Sequence, residues 1–304
     1  MKPRILITGG SGLLALNWAI SARGSFDVWL TMNKRLIDLS GTRSVFIDME
    51  SVDSIKRLLN EVKPELVVHA AGLTNVDQCE SDPELARHVN VGLTANLAKA
   101  CKGEGIALVH ISTDHLFSDD ESFSSEDIKP SPLNVYGQTK ADAELCVLDI
   151  FPNALIVRTN FYGWGTSYRH SFSDVVINAL RSNTKIRLFK DVYYSPILAE
   201  EAWVSVYDLL KKNATGIFNV VSDDRLSKYD FGLKLAAVFN LDKKLIEKGF
   251  IRDQTNLVRR PNDMSLSNQK ASQLLGRKIG GVSEHLRKLK LQENDGTAQE
   301  LQKL

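Results

Sequence analysis

The sequence predicts an α/β fold with a Rossmann-type, doubly wound parallel sheet and a smaller C-terminal α/β region. Two observations support this prediction. Arg4–Thr8 is a short apolar run that ends in a glycine turn, and Leu13–Ala22 then has the composition of a helix. Short apolar runs and amphipathic stretches alternate up to about residue 165, which is typical of a parallel sheet covered by helices on both faces.

The turn after the first predicted strand has the spacing Gly9-x-x-Gly12-x-x-Ala15. Gly9 permits the tight turn, and Gly12 lets the backbone approach a pyrophosphate at the helix N-terminus. Ala15 stands where a small residue lets the helix and the strand pack closely. Glycine turns also occur for structural reasons alone, but the strand before this turn and the helix after it favour dinucleotide binding.

The end of the second predicted strand, Phe26–Met32, bears on the choice of cofactor. A chain that binds NAD normally has an acidic residue about 20 positions beyond the glycines, where it holds the ribose hydroxyls. This chain has Asn33, Lys34 and Arg35 there instead. Two basic side chains favour a 2′-phosphate, so we expect NADP (NADPH), with NAD as the alternative. The structural alternative is that the basic pair is a solvated turn.

The later strands of the first half also end in residues that suit a ligand site, because ligands of open α/β sheets bind outside the carboxyl ends of the strands. A long helix is predicted over Glu84–Lys102 between two of them. The strands and the residues that follow them are Val45–Ile47 with Asp48 and Met49, Leu66–His69 with Ala70, Ala71 and Gly72, and Ile106–Ile111 with Ser112, Thr113 and Asp114.

Tyr136 and Lys140 are four residues apart in a predicted helix, so both side chains lie on one face. An ammonium beside a phenol favours the phenolate and is expected to lower the pKa of Tyr136 from about 10. Such a phenol can give its proton to a carbonyl oxygen, and Thr113 could donate a second hydrogen bond to that oxygen. Taken alone, the spacing is more typical of an ordinary surface helix, and the residues before it favour the functional interpretation.

The strict alternation ends after the sixth predicted strand, Ala154–Arg158. The sequence therefore predicts a dinucleotide-binding domain over residues 1–165 and a substrate-binding region over 166–304, with part of 195–220 free to pack back on the first domain. The aromatic residues at 161, 162 and 164 either line the substrate site or belong to the core. The polar residues from about Gln292 onward are expected to be frayed.

Composition excludes several other classes of function. The 304 residues carry 38 Lys and Arg against 37 Asp and Glu, which argues against nucleic acid as the partner. Three cysteines without a C-x-x-C pair favour free thiols in a reducing compartment, and the histidines do not cluster, so no metal site is predicted. No stretch approaches the ~20 apolar residues of a membrane span, so the expected location is cytoplasmic.

Taken together, the motifs resemble the extended short-chain dehydrogenases/reductases, and among these the dTDP-4-dehydrorhamnose reductase (RmlD-like) group. The resemblance covers nearly the whole chain, and the order of the motifs is more specific than any one of them. In chain order they are Thr8–Ala15, His69–Gly72, Asn75–Glu80, Val89–Asn90, Val109–Phe117, Tyr136–Lys140, Arg158–Gly163, Ser195–Ile197, Gly216–Asn219 and Arg260–Pro261.

The resemblance implies reduction of the C4 ketone of a nucleotide-activated 4-keto-6-deoxyhexose, for deoxysugar or surface polysaccharide synthesis. Tyr136 would donate the proton, Lys140 would lower the pKa of the phenol and hold the nicotinamide ribose, and Thr113 would bind the same carbonyl oxygen. The substrate would also meet Asp114, Phe161 and Arg260, whose guanidinium suits a diphosphate unless it is merely solvated. A homodimer is possible. With the basic turn included, the residues expected to hold the cofactor are Gly9, Gly12, Leu13, Leu14, Asn33, Lys34, Arg35, Asp48, Met49, Ala70, Ala71, Gly72, Asn90, Tyr136 and Lys140.

Two positions depart from the pattern of this group. His115 stands where the reductases commonly have Tyr and where relatives that dehydrate or epimerise often have Glu, and Phe161 stands where many have Trp. The missing glutamate favours plain ketone reduction. Two alternatives stay open: a nucleotide-sugar epimerase of the same superfamily, and a non-catalytic NADP-binding regulatory subunit resembling the beta subunit of methionine adenosyltransferase.

Overall fold

A computed structural model describes residues 2–33, 35–118, 121–254 and 257–304. The strands, in chain order, are β1 (Arg4–Thr8), β2 (Asp27–Met32), β3 (Thr42–Phe46), β4 (Leu66–His69), β5 (Ala107–Ile111), β6 (Leu155–Arg158), β7 (Phe161–Tyr162), β8 (Ile186–Phe189), β9 (Tyr193–Tyr194), β10 (Ile197–Leu198), β11 (Gly216–Asn219), β12 (Leu226–Ser227), β13 (Ile246–Gly249) and β14 (Asp263–Met264).

The helices surround these strands, and one π-helical turn lies at His88–Gly92. In chain order they are α1 (Leu13–Ala22), α2 (Val52–Val62), α3 (Val76–Ser81), α4 (Pro83–Arg87), α5 (Leu93–Glu104), α6 (Val135–Ile150), α7 (Phe172–Arg181), α8 (Ala199–Lys211), α9 (Lys228–Phe239), α10 (Gln269–Leu275), α11 (Val282–Asn294) and α12 (Thr297–Gln302). None of the helices that the structure describes is long and apolar enough to cross a bilayer.

The central sheet consists of seven parallel strands in the order β11-β6-β5-β4-β1-β2-β3. Strand order reverses between β1 and β4, which is the switch point where open α/β sheets bind ligands. Thr8 pairs with His69 and His69 with His110, so the carboxyl ends of β1, β4 and β5 lie side by side. The predicted doubly wound parallel sheet is confirmed.

Successive side chains of the central strands enter two different hydrophobic cores, one on each face of the sheet. Leu6 and Val67 pack on one face against α2 and α5, whereas Ile7 and Val68 pack on the other with α1 and α8. Burial on both faces explains why these strands are continuously apolar in the sequence.

The long helix predicted over Glu84–Lys102 runs without a gap through α4, the π-helical turn and α5. The prediction of a frayed C-terminus is wrong, because α12 packs against α1. Ala298 and Leu301, three residues apart on α12, are buried, and Glu300 forms an ion pair with Arg23 of α1. The segment is polar in overall composition, and only a narrow apolar face of α12 is buried, so composition alone did not predict this helix.

The C-terminal half adds small sheets in which β7 pairs with β10, β8 with β13, and β9 with both β12 and β14. One of its strands, β11, joins the central sheet beside β6, and α8 packs on α1. Of the three aromatic residues in the 161–164 stretch, Tyr162 and Trp164 are buried in the core and Phe161 is partly buried. The division at residue 165 remains a prediction.

Candidate active site

The glycine turn after β1 has the shape that a pyrophosphate requires. Gly9 has a φ of 69°, and a Cβ added to it would lie 2.9 Å from the backbone of Ala71. The amide of Gly12 donates to the carbonyl of Gly9 at 2.8 Å, and α1 begins at Leu13. Only a glycine fits so close to the end of β4, and the N-terminus of α1 points its free amides outward from this turn. The predicted residues Leu13, Leu14, Ala70 and Gly72 flank it.

A buried chain of hydrogen bonds runs beneath this turn. His69 contacts the hydroxyl of Thr8 through Nδ1 at 2.7 Å and that of Thr94 through Nε2 at 2.9 Å. Because Thr94 donates its own proton to the carbonyl of Asn90, it must accept from Nε2, so Nδ1 of a neutral His69 accepts from Thr8. Burial lowers the pKa of His69 to about 3, which agrees with the neutral form.

Asn90, which lies in the π-helical turn, ties two parts of the site together. Its amide accepts from the backbone of Leu73 at 2.8 Å and donates to the hydroxyl of Thr139 at 3.0 Å. Thr139 in turn donates to the carbonyl of Tyr136. Asn90 therefore supports both the loop after β4 and the first turn of α6. π-helical turns are frequent at functional sites.

The residues predicted to choose between NADP and NAD follow β2, and those predicted to meet the adenine follow β3. Lys34 lies outside the described residues, and Asn33 is exposed. The guanidinium of Arg35 stacks on the ring of Tyr168, 3.7 Å from its centroid. Asp48 is exposed and accepts from the amide of Glu50, and the carbonyl of Met49 accepts from Asn96.

The close approach of α6 to the end of β5 depends on one glycine. Asn134 caps α6 by accepting from the amide of Gly137 at 2.9 Å. A Cβ at Gly137 would collide with the carbonyl oxygen of His115. The absence of a side chain at this position therefore lets the helix that carries Tyr136 lie against the segment that carries Thr113.

Tyr136 and Thr113 are brought together as the sequence predicts. Thr113 is near enough to the phenol of Tyr136 to affect its pKa, while the ring of Tyr136 packs among Val76, Cys79 and Ala86. Tyr136 is only 8% exposed. Burial raises its pKa to about 12, although the neighbouring Thr113 opposes this shift. The expectation that the pKa of Tyr136 is lowered is therefore wrong for this structure.

The position of Lys140 explains why the pKa of Tyr136 is not lowered, because the ammonium of Lys140 is directed at β5. Its Nζ donates to the carbonyl of Ile111 at 2.7 Å and lies 3.3 Å from Nε2 of His110. Burial lowers the pKa of Lys140 to about 8, partly opposed by Glu144. The i,i+4 spacing places Lys140 and Tyr136 on one face, but the ammonium binds the strand rather than the phenol.

Asp114 lies beside this pair and is held by Asn160, whose amide donates to its carboxylate at 2.5 Å. The neighbouring residue in the chain, Phe161, is thereby kept near the same edge of the sheet. His115 packs edge-on against the ring of Tyr136, with centroids 5.6 Å apart. Burial lowers the pKa of His115, against the opposing effect of Asp114.

Arg260 is engaged with the first half of the chain. Its guanidinium pairs with Asp77 of α3 at 2.9 Å, and the carbonyl of Arg259 accepts from Asn134 at 3.0 Å. The Nε atom of Arg260 is buried and has no hydrogen-bond partner among the described residues. The 258–260 loop therefore closes over the N-terminus of α6 next to Tyr136, and Arg260 is one of the cations that affect the pKa of His115.

Several residues of the site have no clear signal in the sequence. Tyr168 reaches Arg35 and also donates from its hydroxyl to the carbonyl of Ser11 at 2.9 Å, across 157 positions of the chain. His69 and His110 stack at 5.3 Å and look isolated in the sequence. Among the residues that the structure describes, no cluster of His, Cys, Asp or Glu could hold a metal ion.

The chain is similar to proteins of known name along most of its length. It is 33% identical over 219 residues, 71% of this chain and 73% of the relative, to the probable low-salt glycan biosynthesis reductase Agl14 of Haloferax volcanii. It is 29% identical over 247 residues, 78% of this chain and 72% of the relative, to methionine adenosyltransferase 2 subunit beta of Xenopus laevis.

A solved structure shares the whole architecture. The dTDP-4-dehydrorhamnose reductase of Bacillus anthracis, crystallised in complex with NADP, superimposes with a TM-score of 0.84 over 96% of this chain and 100% of that one. Its identity of 24% shows a common fold. A family model described as the RmlD substrate binding domain matches residues 1–292. The chain therefore belongs to the RmlD substrate binding domain family, which confirms the resemblance seen in its motifs.

Proposed function

We propose that this chain is an NADPH-dependent oxidoreductase that reduces the C4 ketone of a nucleotide-activated 4-keto-6-deoxyhexose. The observation that carries the proposal is the position of Tyr136 beside Thr113 at the carboxyl end of β5, where α6 lies against the segment that carries Thr113. Two O–H groups there could reach one carbonyl oxygen. The glycine turn, whose shape fits a pyrophosphate, lies two strands away at the end of β1.

When bound at this edge of the sheet, NADPH supplies the hydride that reduces the ketone carbon. The chain supplies the proton: the O–H bond of Tyr136 breaks, its proton goes to the ketone oxygen and a phenolate is left, so one hydride and one proton convert the ketone to an alcohol. Thr113 hydrogen-bonds the same oxygen and stabilises the negative charge that develops on it. A buried phenol with a raised pKa holds its proton until that charge develops.

Lys140 is proposed to position these groups. Its contacts with Ile111 and His110 occupy two directions around the ammonium, which leaves one N–H for a ribose hydroxyl of the cofactor. Its charge would then also favour the phenolate left after proton transfer.

The substrate is proposed to lie between Asp114, Phe161 and Arg260. The carboxylate of Asp114 can accept from a sugar hydroxyl, and the partly buried ring of Phe161 can pack against the hexose. Arg260 could exchange Asp77 for a substrate diphosphate, and its Nε, which has no partner in the described part of the chain, supports this role. His115 in place of a glutamate supports reduction rather than elimination.

The similarities support the reaction class. One relative is named a glycan biosynthesis reductase, and one structural neighbour is a dTDP-4-dehydrorhamnose reductase with NADP. We infer a role in deoxysugar or polysaccharide synthesis on that basis. The homodimer and the cytoplasmic location remain predictions from the sequence, and light scattering and cell fractionation would check them.

The decisive experiment offers the purified chain NADPH and a panel of 4-keto-6-deoxyhexoses activated with dTDP, UDP or GDP. We expect oxidation of stoichiometric NADPH with at least one of them, and a product alcohol whose C4 configuration is read by NMR. Conversion of a nucleotide sugar without net NADPH consumption would instead indicate an epimerase.

A second candidate is a regulatory subunit, favoured by the similarity to methionine adenosyltransferase 2 subunit beta. The same preparation should then be inactive on every sugar of the panel and should form a stable complex with a methionine adenosyltransferase catalytic subunit. Size-exclusion chromatography of the mixture separates this candidate from the reductase.

A further inference from the structure

The loop between β7 and α7, residues 163–171, crosses the edge of the sheet at which the cofactor is proposed to bind. Its two ends are fixed. Asn17 of α1 donates to the carbonyl of Trp164 at 2.9 Å, and Ser171 donates to the carbonyl of Gly163 at 2.6 Å. Within the loop, Thr166 and Arg169 form a tight backbone turn with a 2.9 Å hydrogen bond. The 163–171 loop is therefore a pinned element rather than a free connection.

Tyr168 is carried on this turn and joins two strand ends. Its hydroxyl donates to the carbonyl of Ser11, inside the glycine turn after β1. The face of its ring lies 3.7 Å from the guanidinium carbon of Arg35, which follows β2. Since β1 and β2 are neighbours in the sheet, Tyr168 spans the two loops between which the adenosine half of a dinucleotide lies.

Arg35 is exposed, and one face of its guanidinium rests on the ring of Tyr168. Stacking leaves the N–H groups at the edge of a guanidinium free to donate. Within residues 2–33, 35–118, 121–254 and 257–304, no carboxylate pairs with Arg35, whereas Arg23 is paired with Glu300 and Arg43 with Asp27. The guanidinium is thus fixed in place and available to an anion.

We propose that Tyr168 determines cofactor specificity by holding Arg35 where its guanidinium edge binds a phosphate on the 2′-hydroxyl of the adenosine ribose. The inference rests on the proposed use of NADPH. The position after β2 is where ribose hydroxyls are bound in this fold, which points to the 2′-phosphate rather than the pyrophosphate. A guanidinium already fixed by stacking loses less conformational entropy when it binds the phosphate.

The test is equilibrium binding of NADPH and NADH to the purified full chain, followed by nicotinamide fluorescence. In Arg35→Ala the loss of a charge-assisted bidentate contact should weaken NADPH about 10- to 100-fold and leave NADH nearly unchanged. Tyr168→Leu removes the fixing of Arg35 together with the contact to Ser11, so it should weaken NADPH about 3- to 10-fold more than it weakens NADH. Tyr168→Phe, which keeps the ring, serves if the leucine variant does not fold, and it should show a smaller selective loss.

The double variant and a matched control complete the design. In the Arg35→Ala background Tyr168→Leu should not change the preference for NADPH over NADH any further, because the two residues set that preference as one unit. Arg43→Ala, which removes an arginine that lies over Trp29 and pairs with Asp27, should leave both affinities unchanged. Equal weakening of NADPH and NADH in both Tyr168 variants would overturn the inference alone. Failure of the wild-type chain to bind either dinucleotide would overturn the proposed function itself.

Discussion

The ammonium of Lys140 donates to the carbonyl oxygen of Ile111, the last residue of β5, at 2.7 Å. This contact fastens α6 to the strand that ends just before Thr113, so it helps to hold Tyr136 opposite Thr113. In the chain without ligands, Lys140 therefore acts on the phenol through position rather than through charge. This explains how a Tyr-x-x-x-Lys pair coexists with a tyrosine whose pKa burial raises to about 12.

Replacing Tyr136 with Phe removes the proton donor and keeps the ring that packs against Val76 and Cys79. We expect the turnover of a 4-keto sugar to fall on the order of 10²–10⁴-fold, with NADPH affinity nearly unchanged. Steady-state kinetics and fluorescence titration measure the two quantities. Tyr207→Phe, on α8 away from the site, is the matched control. Undiminished turnover in Tyr136→Phe would refute the assignment.

The lowered pKa of Lys140 leads to a prediction of how catalytic efficiency depends on pH. Burial lowers the pKa of its folded state from 10.5 to about 8, so the ammonium is present below pH 8 and is lost as the pH rises through that value. We expect kcat/KM for NADPH to decline above pH 8, because this quantity reports ionisations of the free enzyme. Lys140→Arg keeps a charge at all these pH values and should abolish the decline, although it lowers the maximum. A wild-type profile that stays flat to pH 10 would show that the ammonium is not required.

Gly137 should tolerate no side chain. An added Cβ meets the carbonyl oxygen of His115 and lies 2.9 Å from Pro132, so Gly137→Ala must push α6 away from the Thr113 segment. We expect a loss of about 1–3 kcal/mol in the free energy of unfolding, as for other overpacked sites, together with a fall in kcat. Urea unfolding and steady-state kinetics check both effects. Gly92→Ala is the control, since its Cβ would have an ordinary contact of 3.6 Å with His88, and it should behave like the wild type.

The sequence predicts those parts of the site that depend on local spacing. The glycine turn, the α1 boundaries and the meeting of Thr113 with Tyr136 follow from residues that lie on one strand end or one helix face. The partner of Lys140 could not be predicted, because helical spacing fixes the face of a side chain but not the group that it binds across the sheet. The contact of Tyr168 with Ser11 spans 157 positions, and nothing local marks it.

His69 predicts how the stability of the fold depends on pH. It is 2% exposed, and burial lowers its folded pKa to about 3 from an ordinary 6.5. Between these two pH values the unfolded chain binds a proton at His69 that the native chain does not. The contribution of His69 to the free energy of unfolding is therefore fully present above pH 6.5 and is lost as the pH falls. The slope from this group approaches about 1.4 kcal/mol per pH unit.

Other groups titrate in the same pH range, so the contribution of His69 is obtained by comparing the pH dependence of the free energy of unfolding between wild type and a variant. Wild type and His69→Gln are unfolded with urea at pH 7.5, 6.5, 5.5 and 4.5. The free energy of unfolding should depend less steeply on pH in the variant. The loss of the hydrogen bonds to Thr8 and Thr94 lowers the stability of the variant by a similar amount at every pH and does not change this slope. Parallel curves for wild type and His69→Gln would mean that His69 takes up its proton in the folded state at its ordinary pKa, and that burial does not keep the ring neutral in acid.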